Sequence, residues 1–221
     1  MSLNFPPAFS PLSGREVAWV AISYLIGCFT AGYYWTRWKT GQDIRQLGSG
    51  NVGARNVGRN FGPSGFTMTL LLDLLKGAVA VTMAWRLGLR PEVVVASLVA
   101  VIVGHNWPVQ LRFQGGKGIA VSLGAMLAFD PLTVGCLLLI FGPLFACLRN
   151  FTVSGLLAFA LAPLVAFSCG LDKVAVAALS LAAVLALITH LKNIRQEIAR
   201  LAGDRVKEAP LQMHKGPHDE V

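Results

Sequence analysis

Seven stretches of the chain are almost entirely apolar, at about 17–38, 65–85, 92–110, 118–129, 132–148, 153–170 and 173–191, and polar or glycine- and proline-containing breaks separate them. A helix that crosses a bilayer needs roughly 20 such residues and satisfies its own backbone hydrogen bonds, which lipid cannot do for it. The pattern therefore predicts an all-α protein, a polytopic transmembrane helix bundle of about seven spans. The stretch at 118–129 is too short to cross a core about 30 Å thick upright. Either flanking residues lengthen it or it lies half-buried among its neighbours.

Of the 221 residues, 54% are hydrophobic and 14% charged, which is far more apolar than a soluble domain of this length. The net charge of +8 does not point to nucleic acid, because Lys and Arg sit between the apolar stretches and form no long basic tract. It reads as topology. Cytoplasmic loops collect Lys and Arg, and one side of the predicted bundle holds Arg37, Lys39, Arg45, Arg55, Arg59, Arg112, Lys117, Arg149, Lys192 and Arg195. The other side holds Arg15, Arg86, Arg90 and Lys173. The N-terminus is thus expected outside and the C-terminus in the cytoplasm, with residues 1–203 forming a single transmembrane domain and 204–221 a polar cytoplasmic tail. The first apolar run follows a leader without Lys or Arg and exceeds a signal-peptide core, so it is expected to stay in the mature protein. Cys28, Cys136, Cys147 and Cys169 fall in apolar stretches without C-x-x-C spacing; they read as core thiols, with neither a disulfide framework nor a metal site.

Three polar clusters fall on the basic side. The first is Gly48-Ser49-Gly50-Asn51-Val52-Gly53-Ala54-Arg55-Asn56-Val57-Gly58-Arg59-Asn60-Phe61-Gly62. Its glycines let backbone N–H groups approach an anion, and its Ser, Asn and Arg side chains suit phosphate oxygens. It matches neither the P-loop nor the dinucleotide fingerprint, and a flexible turn between helices is the alternative. The second cluster joins Gly104-His105-Asn106-Trp107-Pro108 to Gly115-Gly116-Lys117-Gly118, just before an apolar helix begins. Unsatisfied N–H groups and the helix dipole would favour an anion there, with Lys117 as the point charge; a positive-inside lysine in a tight turn is the alternative. The third holds His190 and Asn193, three apart and so on one face of a continuing helix. Within the second apolar stretch, Asp73 and Lys76 are spaced to pair with each other, and a buried structural ion pair is preferred there to a transport site. Arg149 with Thr152 and Ser154 forms a further donor set on the basic side.

Taken together, these motifs resemble the bacterial acyl-phosphate:glycerol-3-phosphate acyltransferases. The run Ser49-Gly50-Asn51-Val52-Gly53-Ala54-Arg55-Asn56, then Leu72-Asp73-Leu74-Leu75-Lys76-Gly77, Gly104-His105-Asn106-Trp107-Pro108, Gly115-Gly116-Lys117-Gly118 and His190-Leu191-Lys192-Asn193-Ile194 occur in that family's order and spacing, over about residues 25–203. The resemblance implies transfer of a fatty acyl group from acyl phosphate to the 1-hydroxyl of sn-glycerol 3-phosphate in the bacterial plasma membrane, at its cytoplasmic face. It implies catalytic roles for Ser49, Asn51, Arg59, Lys117, His190 and Asn193, and substrate-binding roles for Gly50, Gly53, Asn56, His105, Gly115, Gly116 and Gly118. The expected partners are the two substrates and membrane lipids, without cofactor, metal or nucleic acid.

Two departures stand out. Arg55 takes a place where the family usually has threonine, so it either adds charge to a phosphate seat or turns to lipid headgroups. The third motif's Arg-Leu run, Arg200-Leu201, comes about three residues late, with Glu197 or Asp204 as its acidic member. No His-x4-Asp dyad is present, since Gln110 follows His105 and Arg195 follows His190 at that spacing. The acceptor's own phosphate is therefore expected to take the proton. The rival readings are a transporter for phosphorylated anions, whose site belongs near the midplane, and a structural bundle whose basic loops bind anionic lipid.

Overall fold

A computed structural model describes residues 11–201; the side chains of Asn193, Gln196, Glu197, Ile198, Arg200 and Leu201 lie outside that description. The described elements are α1 (Gly14–Cys28), α2 (Ala31–Thr40), α3 (Ala54–Arg86), α4 (Pro91–Asn106), α5 (Ile119–Phe129), α6 (Pro131–Leu148), α7 (Phe151–Ala160), α8 (Ala162–Ser168) and α9 (Lys173–Leu201). The fold is an all-α polytopic membrane bundle. Among the described residues, α3, the segment Pro91–Leu111 that α4 opens, α6 and the Lys173–Lys192 part of α9 suffice by length and composition to cross a membrane, and the bent pairs α1/α2 and α7/α8 raise the number to as many as six. The seventh apolar stretch is α5, only 11 residues long. Most of it is covered by protein, with Val121, Ser122, Gly124, Ala125 and Met126 buried. Half-burial among neighbours, and not lengthening, resolves that stretch.

The stretch read as one span at 17–38 is broken at Phe29 and Thr30, where α1 and α2 meet at 41°. A break frees carbonyls that hydrocarbon cannot satisfy. Side chains take them instead: Gln110 Nε2 donates to Cys28 O, and Lys76 Nζ donates to Phe29 O at 2.7 Å. The kink in α3 has a local cause, since Gly62 takes φ 78° and Pro63 has no N–H to continue the ladder.

Without a hydrophobic drive between helices in lipid, close packing has to come from small residues. Gly27 of α1 faces Gly104 of α4, and a Cβ on Gly27 would lie 3.0 Å from Gly104 Cα and from His105 N. Gly77 of α3 and Gly124 of α5 repeat the arrangement: a Cβ on Gly77 would overlap Val121 O, and one on Gly124 would overlap Leu74 O. Around these crossings Val81, Leu98, Ile102, Val121, Met126 and Leu179 form the core. Gly124→Val is expected to force α3 and α5 apart and cost about 1–3 kcal/mol, read as a lower melting temperature of the detergent-purified protein.

At the end of the bundle away from the glycine loops, Glu16 closes a capping box with Ser13 and pairs with Arg90 at 2.7 Å, while Arg15 donates to Leu87 O at 2.8 Å. Asp130 and Asp172 accept from Thr133 N and Ala175 N at the starts of α6 and α9. All four cysteines are free, but the reading of them as core thiols holds fully for Cys28 alone: Cys136 and Cys169 are half-buried and Cys147 is exposed. Periodicity across an apolar run does not separate a core face from a lipid face. The chain divides into two compact units, Met1–Thr189 and His190–Val221. The expected boundary between 203 and 204, and the tail beyond it, lie outside the described residues.

Candidate active site

The first cluster is a loop only as far as Gly53; from Ala54 onward its residues are the opening turns of α3. The expectation of a loop running to Gly62 is corrected there, because residues 54–61 take helical backbone and the glycine that breaks it is Gly62. Asn56 organises the loop. Its Nδ2 lies 2.9 Å from both Leu47 O and Asn51 O and 3.3 Å from Ile44 O, and its Oδ1 accepts from Ser49 N at 2.9 Å. A buried carboxamide committed to its own loop shapes the loop from within. Gly48 and Gly50 hold φ of 55° and 72°, which a side chain would strain. Asn51 Oδ1 accepts from Gly53 N at 2.8 Å, just ahead of α3. Ser49, Gly50 and Arg59 are exposed.

Arg45 ties this loop to the second cluster. It pairs with Asp43 at 2.6 Å and donates through Nη1 to Leu111 O at 3.0 Å. The same guanidinium holds the Asp43 carboxyl below its ordinary range. Beneath it, Ile44, Val52, Val57 and Leu111 make a separate apolar cluster. The second cluster folds back on itself: Gly116 N donates to His105 O at 3.0 Å and Gly115 N to Asn106 O at 3.2 Å. A Cβ on Gly115 would lie 2.7 Å from Asn106 O, and one on Gly116 would overlap His105 Nε2. Gly118, at φ 83°, starts α5 without a side-chain cap, next to the buried Asn106 carboxamide, which has no hydrogen-bond partner among the described residues. Lys117 is half-buried, and its carbonyl accepts from Thr189 Oγ1 at 3.0 Å.

Asp73 and Lys76 do form the expected ion pair, at 2.8 Å with both side chains almost fully buried. The pair is not self-contained. Lys76 Nζ also contacts His105 Nδ1 at 2.7 Å and the Phe29 carbonyl, so one ammonium joins α3, α4 and the α1/α2 break. These partners come from different helices, and no spacing along the chain announces them. Arg55 takes neither course expected of it: it donates to the Thr152 hydroxyl and lies 5.7 Å over the Phe151 ring, bracing the start of α3 against α7. Asn150 caps α7 through Thr152 N and Val153 N, while Arg149 is exposed and Ser154 buried. In the second unit, His190 is buried on α9; Asn193 shares that helix, and its side chain lies outside the description. Among the described residues no group of three or more His, Cys, Asp or Glu could hold a metal ion.

The sequence model of the glycerol-3-phosphate acyltransferases matches residues 17–200. The chain belongs to this family. It is 38% identical to glycerol-3-phosphate acyltransferase 1 of Desulfitobacterium hafniense over 79% of this chain and 86% of that one. With the corresponding protein of Bacillus cereus it shares 39% over 69% of this chain and 82% of that one. Its backbone is similar to the crystal structure of PlsY (YgiH), an integral membrane glycerol 3-phosphate acyltransferase in the glycerol 3-phosphate form. The TM-score is 0.79 at 30% identity, over 89% of this chain and 96% of that one. The lysophosphatidic acid form gives 0.76 at 29% identity, over 86% and 94%. Within this acyltransferase fold, the features the sequence did not announce are the His105 contact to Lys76, the Thr189 contact to Lys117 and the unpartnered Asn106 amide.

Proposed function

We propose that this acyltransferase moves a fatty acyl group from acyl phosphate to the 1-hydroxyl of sn-glycerol 3-phosphate, releasing lysophosphatidic acid and inorganic phosphate. The observation that carries the reading is the folding of two glycine-rich anion loops against one another, through Arg45, Leu111 and the cluster beneath them, at one end of an apolar bundle. Both substrates are anionic and one carries an oily chain, so the site has to hold two phosphates beside hydrocarbon. Arg59 and Lys117 supply the positive charge. Gly50, Gly53, Gly115, Gly116 and Gly118 keep the two loops clear of side chains so that a phosphate can approach, although the N–H groups of the first four donate within the loops, to Leu47 O, Asn51 Oδ1, Asn106 O and His105 O; His105 lies beneath the second loop.

The acceptor hydroxyl oxygen attacks the acyl carbonyl carbon, and the bond from that carbon to the phosphate oxygen breaks. The leaving phosphate is already good, so positioning is the main catalytic effect. The hydroxyl proton passes to the acceptor's own phosphate, and Ser49 with backbone donors meets the carbonyl oxyanion. Asn51 and Asn56 hold the first loop; His190 and Asn193, for which the family resemblance implies catalytic roles, lie on α9 in the second unit. Seven helical passes, with the N-terminus outside and the loops at the cytoplasmic face, fit the distribution of Lys and Arg. Purified protein supplied with palmitoyl phosphate and glycerol 3-phosphate is expected to release phosphate and lysophosphatidic acid in equal amounts. Flux of glycerol 3-phosphate into liposomes without turnover would replace this reading with transport.

A further inference from the structure

Lys76 Nζ sits among three groups: it pairs with Asp73 Oδ1 at 2.8 Å, donates to Phe29 O at 2.7 Å and lies 2.7 Å from His105 Nδ1. An ammonium set against a buried carboxylate has N–H groups to give and no lone pair to accept with, so the His105 nitrogen that faces it is the acceptor. The consequence falls on the histidine. An imidazole that accepts at Nδ1 carries its proton on Nε2. That nitrogen is the atom a Cβ on Gly116 would overlap, and the His105 carbonyl already binds Gly116 N at 3.0 Å. The ring and the backbone of His105 therefore grip the middle of the Gly115-Gly116-Lys117-Gly118 loop from below. A charged pair this deep is costly to keep unless something depends on it. A purely structural pair would need only each other, whereas here Lys76 also reaches a histidine that touches the loop.

We infer that Asp73 and Lys76 are positioning residues for the acceptor-phosphate loop, acting through His105, whose tautomer and seat beneath Gly116 they fix. The inference rests on the acyltransferase reading and deepens it by naming what holds the glycine loop in place. Neither Asp73 nor Lys76 contacts that loop in the structure, so their influence runs through the imidazole.

Steady-state kinetics of the full chain with each substrate varied, alongside thermal melting, tests this on Lys76→Met and Asp73→Asn. In variants that remain folded, KM for glycerol 3-phosphate is expected to rise about tenfold or more, the scale set by one misplaced charged hydrogen bond. KM for acyl phosphate and kcat are expected to change little. An unchanged KM for glycerol 3-phosphate in a folded variant, or equal losses for both substrates, would overturn the inference. Nitrogen NMR of histidine-labelled protein supplies a reading that does not depend on a stable Lys76 variant. The signal missing from His105→Gln is expected to show the Nε2–H tautomer in the unsubstituted protein, and an Nδ1–H tautomer or an imidazolium there overturns the inference. If the unsubstituted protein makes no lysophosphatidic acid, the enzymatic reading itself fails, and the tautomer spectrum still decides whether the network has the form described.

Discussion

Gly116→Ala is expected to lower kcat/KM for glycerol 3-phosphate on the order of 100-fold, because a shift of about 1 Å in a group that positions substrate costs that much. The added methyl would overlap His105 Nε2, and that ring cannot retreat, since Lys76 holds its other nitrogen at 2.7 Å. The loop has to rise instead, carrying Lys117 with it. The loss should fall on glycerol 3-phosphate more than on acyl phosphate, which kinetics with each substrate varied in turn would show. Equal activity in variant and parent would mean that the loop does not touch the acceptor.

Lys117→Ala and Arg59→Ala are each expected to reduce turnover by about 100- to 1,000-fold, the scale of losing one group that stabilises charge in a transition state. Both side chains reach the edge of the protein, Arg59 exposed on the second turn of α3 and Lys117 half-buried before α5. Their removal should leave folding intact. Melting temperatures within a few degrees of the parent, combined with lost phosphate release, would separate chemistry from stability. Parental rates in both variants would remove the phosphate-holding role given to them.

The helices were legible because apolar runs of 17 residues or more have few stable forms in lipid, and each run corresponds to one helix or one bent pair. The motifs were legible as loops rich in glycine and donors beside helix ends. What spacing could not reveal depended on contacts between helices. Asp73 and Lys76 lie three apart and were expected to satisfy one another, yet the third partner, His105, is 29 residues from Lys76. Asn56 looked like a phosphate donor because its residue type suits one, while its amide is occupied by Leu47, Asn51 and Ser49 backbone. Arg55 found Thr152, 97 residues away, in a contact between the starts of α3 and α7 that no spacing along the chain announces. The break at Phe29 has no proline to announce it, and its exposed carbonyls are answered by Lys76 and Gln110 from other parts of the chain.

The shortness of α5 has a consequence for how a water-soluble acceptor meets an oily donor. A helix of 11 residues advances about 16 Å, and one wrapped in protein has no thickness of lipid to match. It is about half as long as a hydrocarbon core of about 30 Å, so the glycine loop at its amino end and Phe129 at its other end cannot both lie at the bilayer's two surfaces. Under the proposed reaction, a glycine loop set within that thickness would let a water-soluble acceptor meet the reactive end of the acyl chain without the fatty tail being drawn out into water.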